Sequence, residues 1–187
     1  MKRGQISVFV IISVFILIII LIYFLISKEE ISERKVDAEI QPLYSFVEEC
    51  LKNSGEEALF HIGQTGGYVT VPQPNVEDGI AYYLYEGKNY MPSREKIEEE
   101  ISSYIDFALP FCINDFATFS DVAIKTEALN ITTQIEEEKV IFQLNYPITI
   151  TKGERIYLVD QFTADVPVRL GIIHTAISES MDEQMKR

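Results

Sequence analysis

Positive charge is scarce in this chain of 187 residues: 16 Lys and Arg stand against 29 Asp and Glu, for a formal net charge of −13. That balance excludes nucleic acid as a partner, because binding by counterion release needs clustered cations. Histidine and cysteine are scarcer still, at two each. A zinc site takes three or four clustered ligands. His61, His174, Cys50 and Cys112 are spread along the chain, so no metal site and no cofactor are expected. There is no internal repeat and no low-complexity tract, which excludes collagen-like and wholly disordered chains. The length excludes two full globular domains. Catalytic motifs are lacking too. Gly63-Gln64-Thr65-Gly66-Gly67 follows a helical pattern and is not followed by Lys-Ser/Thr, so it reads as a turn and not a phosphate loop. The triplets Glu98-Glu99-Glu100 and Glu136-Glu137-Glu138 lack the alternating ligands and central glycine of a calcium loop. The first reads as a solvated helix face and the second as a hairpin tip.

What is present is one long apolar run. From residue 6 to residue 26 only Ser7 and Ser13 are polar. As a helix those residues span about 31 Å, the thickness of a hydrocarbon core. The run is apolar all round, which excludes an amphipathic surface helix. It is also too long for an ordinary secretory h-region, and no small-residue cleavage site follows it. Lys2 and Arg3 precede it and Lys28-Glu29-Glu30 follows it, so the positive-inside bias leaves the N-terminus cytoplasmic and the rest of the chain extracytoplasmic.

Lys2-Arg3-Gly4-Gln5-Ile6-Ser7, running straight into the apolar helix, resembles the archaeal class III prepilin-like signal. The resemblance implies cleavage between Gly4 and Gln5, with the helix kept as a packing stalk. Gln5 and Ser7 match the family's pattern, whereas Phe9 stands where the family has a glutamate implicated in filament assembly. A pilin-like helix without regulated filament growth is therefore implied. Glu48-Glu49-Cys50-Leu51, Gly66-Gly67-Tyr68 and Val166-Pro167-Val168-Arg169-Leu170-Gly171 are similar to the membrane-proximal part of uncharacterised membrane-anchored archaeal proteins. That similarity implies location and fold, with no activity attached.

Beyond the apolar run the expected organisation is a cytoplasmic tip and transmembrane helix (1–26), a juxtamembrane stem (27–41) and an extracytoplasmic domain (42–187). Pro42 suits the first turn of a helix. Leu43, Val47, Cys50, Leu51, Ala58 and Ile62 then share one face, with Gly55 as a weak point and Gly63 as the cap. Short strands are expected at 68–71 and 80–85, closed by a turn at Glu86-Gly87-Lys88. Ser93 caps a second helix with Ile97, Ile101, Tyr104, Ile105 and Ala108 inside, ended by Pro110. The period then changes to two. Leu129, Ile131, Thr133 and Ile135 alternate with polar residues, as do Val140, Phe142, Leu144, Tyr146, Ile148 and Ile150. A turn at Lys152-Gly153 leads to Ile156, Leu158, Phe162, Val166 and Val168. A last helix over 171–186 places Ile173, Ile177 and Met181 on one side. The fold class is α+β: two helices against an antiparallel meander, with a C-terminal helix.

Three features point to function. Cys50 and Cys112 are the only cysteines, and outside the membrane they are expected to pair; two buried free thiols are the alternative. Tyr82, Tyr83, Tyr85 and Tyr90 form an aromatic cluster suited to partner contact, since tyrosine offers area with a polar tip. On a strand, Tyr82 faces one way and Tyr83 and Tyr85 the other. Asn130-Ile131-Thr132 is a glycosylation sequon, credible in an exported domain. The sequence therefore points to a non-enzymatic surface protein, its partners being the lipid bilayer and other envelope proteins or its own copies. A ligand-binding receptor module is the alternative, and a thiol-dependent hydrolase pairing a cysteine with His61 or His174 is a third.

Overall fold

A computed structural model describes residues 16–17, 37–76 and 79–186. The prepilin-like site at Gly4 and Gln5, most of the apolar run and residues 27–36 of the stem lie outside the described residues. Among those described, no helix is long and apolar enough to cross a membrane. Ala38–Arg187 forms one compact unit.

Helix α1 runs over Gln41–Thr65 with Pro42 in its first turn, and it buries Leu43, Val47, Cys50, Leu51, Ala58 and Ile62 as the spacing predicts. Gly55 does not break it. The glycine is buried at the point of closest approach to the sheet, where a Cβ would overlap the Phe142 ring. Nor does Gly63 cap the helix. The helix runs on to Thr65, whose hydroxyl lies within hydrogen-bond distance of the His61, Ile62 and Tyr68 carbonyls. Gly66 then takes the left-handed conformation at φ 78°, and the Gly67 N–H donates to the Ile62 carbonyl.

Residues 67–92 hold little regular structure. Two-residue strands β1 (Leu84–Tyr85) and β2 (Lys88–Asn89) form a hairpin whose turn, Glu86-Gly87, has positive φ at both positions. No strand forms at 68–71. Helix α2, Arg94–Ile113, starts at Ser93, whose side chain accepts from the Lys96 N–H. It buries Ile97, Ile101, Ile105, Leu109 and Ile113, while Tyr104 and Ala108 are half-buried. Pro110 does not stop it. The proline forfeits one N–H on the exposed side, and the buried Leu109 and Ile113 hold the last turn in place. The chain then turns left-handed through Asn114, Asp115 and Phe116, with φ of 46°, 50° and 54°. That turn drives Phe116 into the core against Phe46, Phe119 and Tyr146.

The sheet is antiparallel, as expected, and β5 (Val140–Lys152) is its axis. Strand β6 (Arg155–Val166) runs along one edge of β5, turning at Gly153-Glu154. Along the other edge lie β4 (Asn130–Ile135) and a strand without counterpart in the sequence reading, β3 (Ala123–Thr126). β3 and β4 pair in tandem with opposite halves of β5. Every even residue of β5 from Val140 to Ile150 is buried, and so are Ile131, Thr133 and Ile135 of β4.

Strand β6 departs from the expected alternation. Two β5 residues, Tyr146 and Pro147, bulge opposite a single β6 residue, which shifts the register between Asn145 and Ile148. Phe162 and Ala164 are buried on one side of the bulge and Val159 on the other, so the inward parity changes within β6. Ile156 and Leu158, expected inside, are each 71 % exposed on the outer face.

Helices α1 and α2 pack on the inner face of the sheet. Helix α1 also guards the outer edge of β6: the Tyr44 hydroxyl donates to the Gln161 carbonyl and Glu48 accepts from the Thr163 N–H. These side chains occupy edge groups that would otherwise template another strand. Helix α3, Leu170–Met185, buries Gly171 and Met181 and leaves Ile173 exposed. Gly171 is required there because a Cβ would overlap the Glu136 carbonyl.

Candidate functional site

Cys50 and Cys112 stand at disulfide distance, with Cα atoms 5.7 Å apart. Cys50 projects from the buried face of α1, and Cys112 lies in the last turn of α2, on its exposed side. Antiparallel packing of the two helices brings them together. Paired in this way, neither sulfur is free. The histidines face elsewhere. The His61 ring lies 5.4 Å from that of Tyr104, with its Nε2 at 3.3 Å from the Val69 carbonyl. His174 Nε2 lies 3.0 Å from the Pro92 carbonyl. Among the described residues no group of three or more His, Cys, Asp or Glu is placed to hold a metal ion.

The tyrosine cluster divides differently from the strand expectation, because residues 81–83 form only an isolated bridge between Asn75 and Ala81. Tyr82 and Tyr85 pair, ring centroids 5.3 Å apart, and Tyr85 is exposed. Tyr83 turns inward, and its hydroxyl donates to the Gly66 carbonyl at 3.2 Å. Burial pushes the Tyr83 hydroxyl pKa up, and the neighbouring Tyr68 adds to the shift. The Tyr90 carbonyl accepts from the Tyr68 hydroxyl, and its N–H donates to Tyr83. Tyr83 and Tyr90 are thus braces of the loop, and Tyr82 with Tyr85 is the part that faces outward.

A larger aromatic surface lies on α2. Its inward line repeats at 97, 101, 105, 109 and 113. Phe107 and Phe111 fall on the other side, 70 % and 71 % exposed, with ring centroids 5.3 Å apart. On α1, Phe60 is likewise exposed, opposite the buried Leu51. The sequence reading missed these three. They were discoverable as aromatics off the apolar stripe of their own helices.

Glu98 and Glu100 also differ from expectation. They are half-buried rather than solvated: Glu98 accepts from the Ile135 N–H at 2.7 Å and Glu100 from the Val69 N–H at 2.6 Å. They tie α2 to β4 and to the loop after α1, a structural task. Glu136, Glu137 and Glu138 do form the β4–β5 turn. Asn130 and Thr132 are both exposed. Comparison of the chain with protein-family models, with curated proteins and with solved structures finds no match.

Proposed function

We propose that this chain is a single-pass membrane protein that presents its acidic α+β domain on the extracytoplasmic face, where it contacts other envelope proteins or its own copies. The Cys50–Cys112 pair carries the location most directly, since both cysteines of the chain sit at bonding geometry and disulfides persist in oxidising compartments. The apolar run of residues 6–26, with Lys2 and Arg3 before it, supports the same orientation. The contact role rests on Phe107 and Phe111. Two adjacent phenylalanines on a helix face turned away from the core mark a surface that favours cover by a partner. The prepilin-like signal adds processing between Gly4 and Gln5. Phe9, in place of the family's glutamate, favours a monomer or small oligomer over a filament.

Protease added to intact cells tests the orientation: the domain is expected to be removed, and full protection would overturn it. Mass spectrometry of the membrane form is expected to find chains beginning at Gln5. Chains starting only at Met1 would reduce the protein to an uncleaved anchor.

A further inference from the structure

Asn130 and Thr132 lie on the same side of β4. Strand alternation sends both outward and exposes them, while Ile131 between them is buried. Asn130 is also the first residue of its strand, directly after the irregular segment 127–129 that passes the Tyr146-Pro147 bulge. Carboxamide and hydroxyl of the sequon therefore project together from a strand end, accessible to an enzyme.

The surface beside Asn130 has a composition unlike the rest of the domain. Cross-strand register continues Asn130 into Asn145 and Gln161, and Thr132 into Gln143 and Thr163. All six are exposed, and none carries charge. In a chain of net charge −13, two full rows of amides and hydroxyls are conspicuous. Each such side chain both donates and accepts hydrogen bonds, as a sugar hydroxyl does. No ion must shed water for a sugar to settle there. Strand spacing puts Gln161 about 10 Å from Asn130, so the rows extend beneath whatever leaves the Asn130 side chain.

We propose that Asn130 carries an N-linked glycan whose first sugars rest on these two uncharged rows of the sheet's outer face. The proposal rests on the extracytoplasmic reading given above, because the donor is a lipid-phosphate-linked oligosaccharide used by a transferase at the outer membrane face. A bond forms between C1 of the first sugar and Nδ2 of Asn130. The bond between C1 and the phosphate oxygen of the donor breaks, and the lipid phosphate leaves with the electron pair. One amide proton passes to solvent, and nothing is oxidised or reduced.

The test uses the full chain, purified in detergent from membranes of cells that make it. Mass spectrometry of the peptide containing Asn130 is expected to show added saccharide on that residue. N130Q and T132V should abolish the addition, whereas T132S, which keeps the sequon, should retain it. An Asn130 peptide found only at its sequence mass overturns the proposal. Protease treatment of intact cells separates the causes: an accessible domain with bare Asn130 leaves the extracytoplasmic reading standing, and a protected domain with bare Asn130 removes both. Hydrogen exchange then tests where the sugars lie. The glycosylated chain is expected to exchange several-fold more slowly than N130Q at residues 143–145 and 161–163. Equal exchange would overturn the resting place on the sheet.

Discussion

Reducing the Cys50–Cys112 bridge isolates one term of the domain's stability. The two residues are 62 apart in sequence, and a loop of that length is worth about 4 kcal/mol on the chain-entropy model. The surroundings argue that little else is lost. Cys50 is buried and keeps its packing as a thiol, since free cysteine behaves as a small hydrophobe. Cys112 is on the exposed side of α2, so its release opens no cavity. The bridged loop contains most of α1, the tyrosine hairpin and nearly all of α2, and none of the sheet. For a unit of about 150 residues, 4 kcal/mol shifts the thermal midpoint by about 8–16 °C. The assay is circular dichroism melting of the full chain in detergent, with and without a phosphine reductant, beside a C50A/C112S variant. The reduced chain and the variant are both expected to melt well below the oxidised form. Oxidised and reduced midpoints within about 2 °C of each other would refute the entropic reasoning. Two freely alkylated cysteines in unfolded, unreduced protein would show that the bridge never forms.

Gly55→Ala, although favoured by helix propensity, should destabilise by about 1–3 kcal/mol because its Cβ meets the Phe142 ring; denaturant titration gives the number, and a gain in stability would refute the close approach. Burial, opposed by the Thr163 N–H, holds the Glu48 carboxyl above its usual pKa. The folded state therefore binds the proton more tightly, and stability should fall as pH rises from the ordinary carboxylate value through the raised one. Glu48→Gln should flatten that slope in pH-dependent melts, and an unchanged slope would assign it to other groups. Phe107→Ser with Phe111→Ser should leave the melt nearly unchanged, given the exposure of both rings, yet reduce crosslinking to neighbouring envelope proteins. Equal crosslinking would remove the α2 surface from the contact role.

The parts of the fold that were legible in sequence are those where one local period governs burial. Even-numbered burial in β5 runs unbroken from Val140 to Ile150, and α1 keeps its apolar face across 25 residues. Strand β6 escaped because its parity depends on its neighbour. The bulge is made by Tyr146 and Pro147 of β5, so Ile156 and Leu158 reverse faces for a reason located in another strand. Strand β3 escaped for a similar reason: at four residues, with only Ile124 half-buried toward the core, it owes its existence to pairing with the end of β5.

Glycine and proline depart from their local propensities wherever tertiary contact sets the outcome. Gly55 looked like a helix defect, yet it lets α1 approach the sheet closely enough for Phe142 to pack under it. Pro110 looked like a stop, yet one absent N–H at an exposed position costs less than unseating Leu109 and Ile113. The same logic separates the aromatic clusters. Tyr83 and Tyr90 have hydroxyl or backbone partners that hold the 66–90 loop together, so their density in sequence marks a loop braced by hydrogen bonds around a two-residue hairpin. Phe107 and Phe111 have no such task. They sit on a helix whose inward face is already complete with five aliphatic residues, and rings left outside a satisfied core are where selection for contact, not for folding, has room to act.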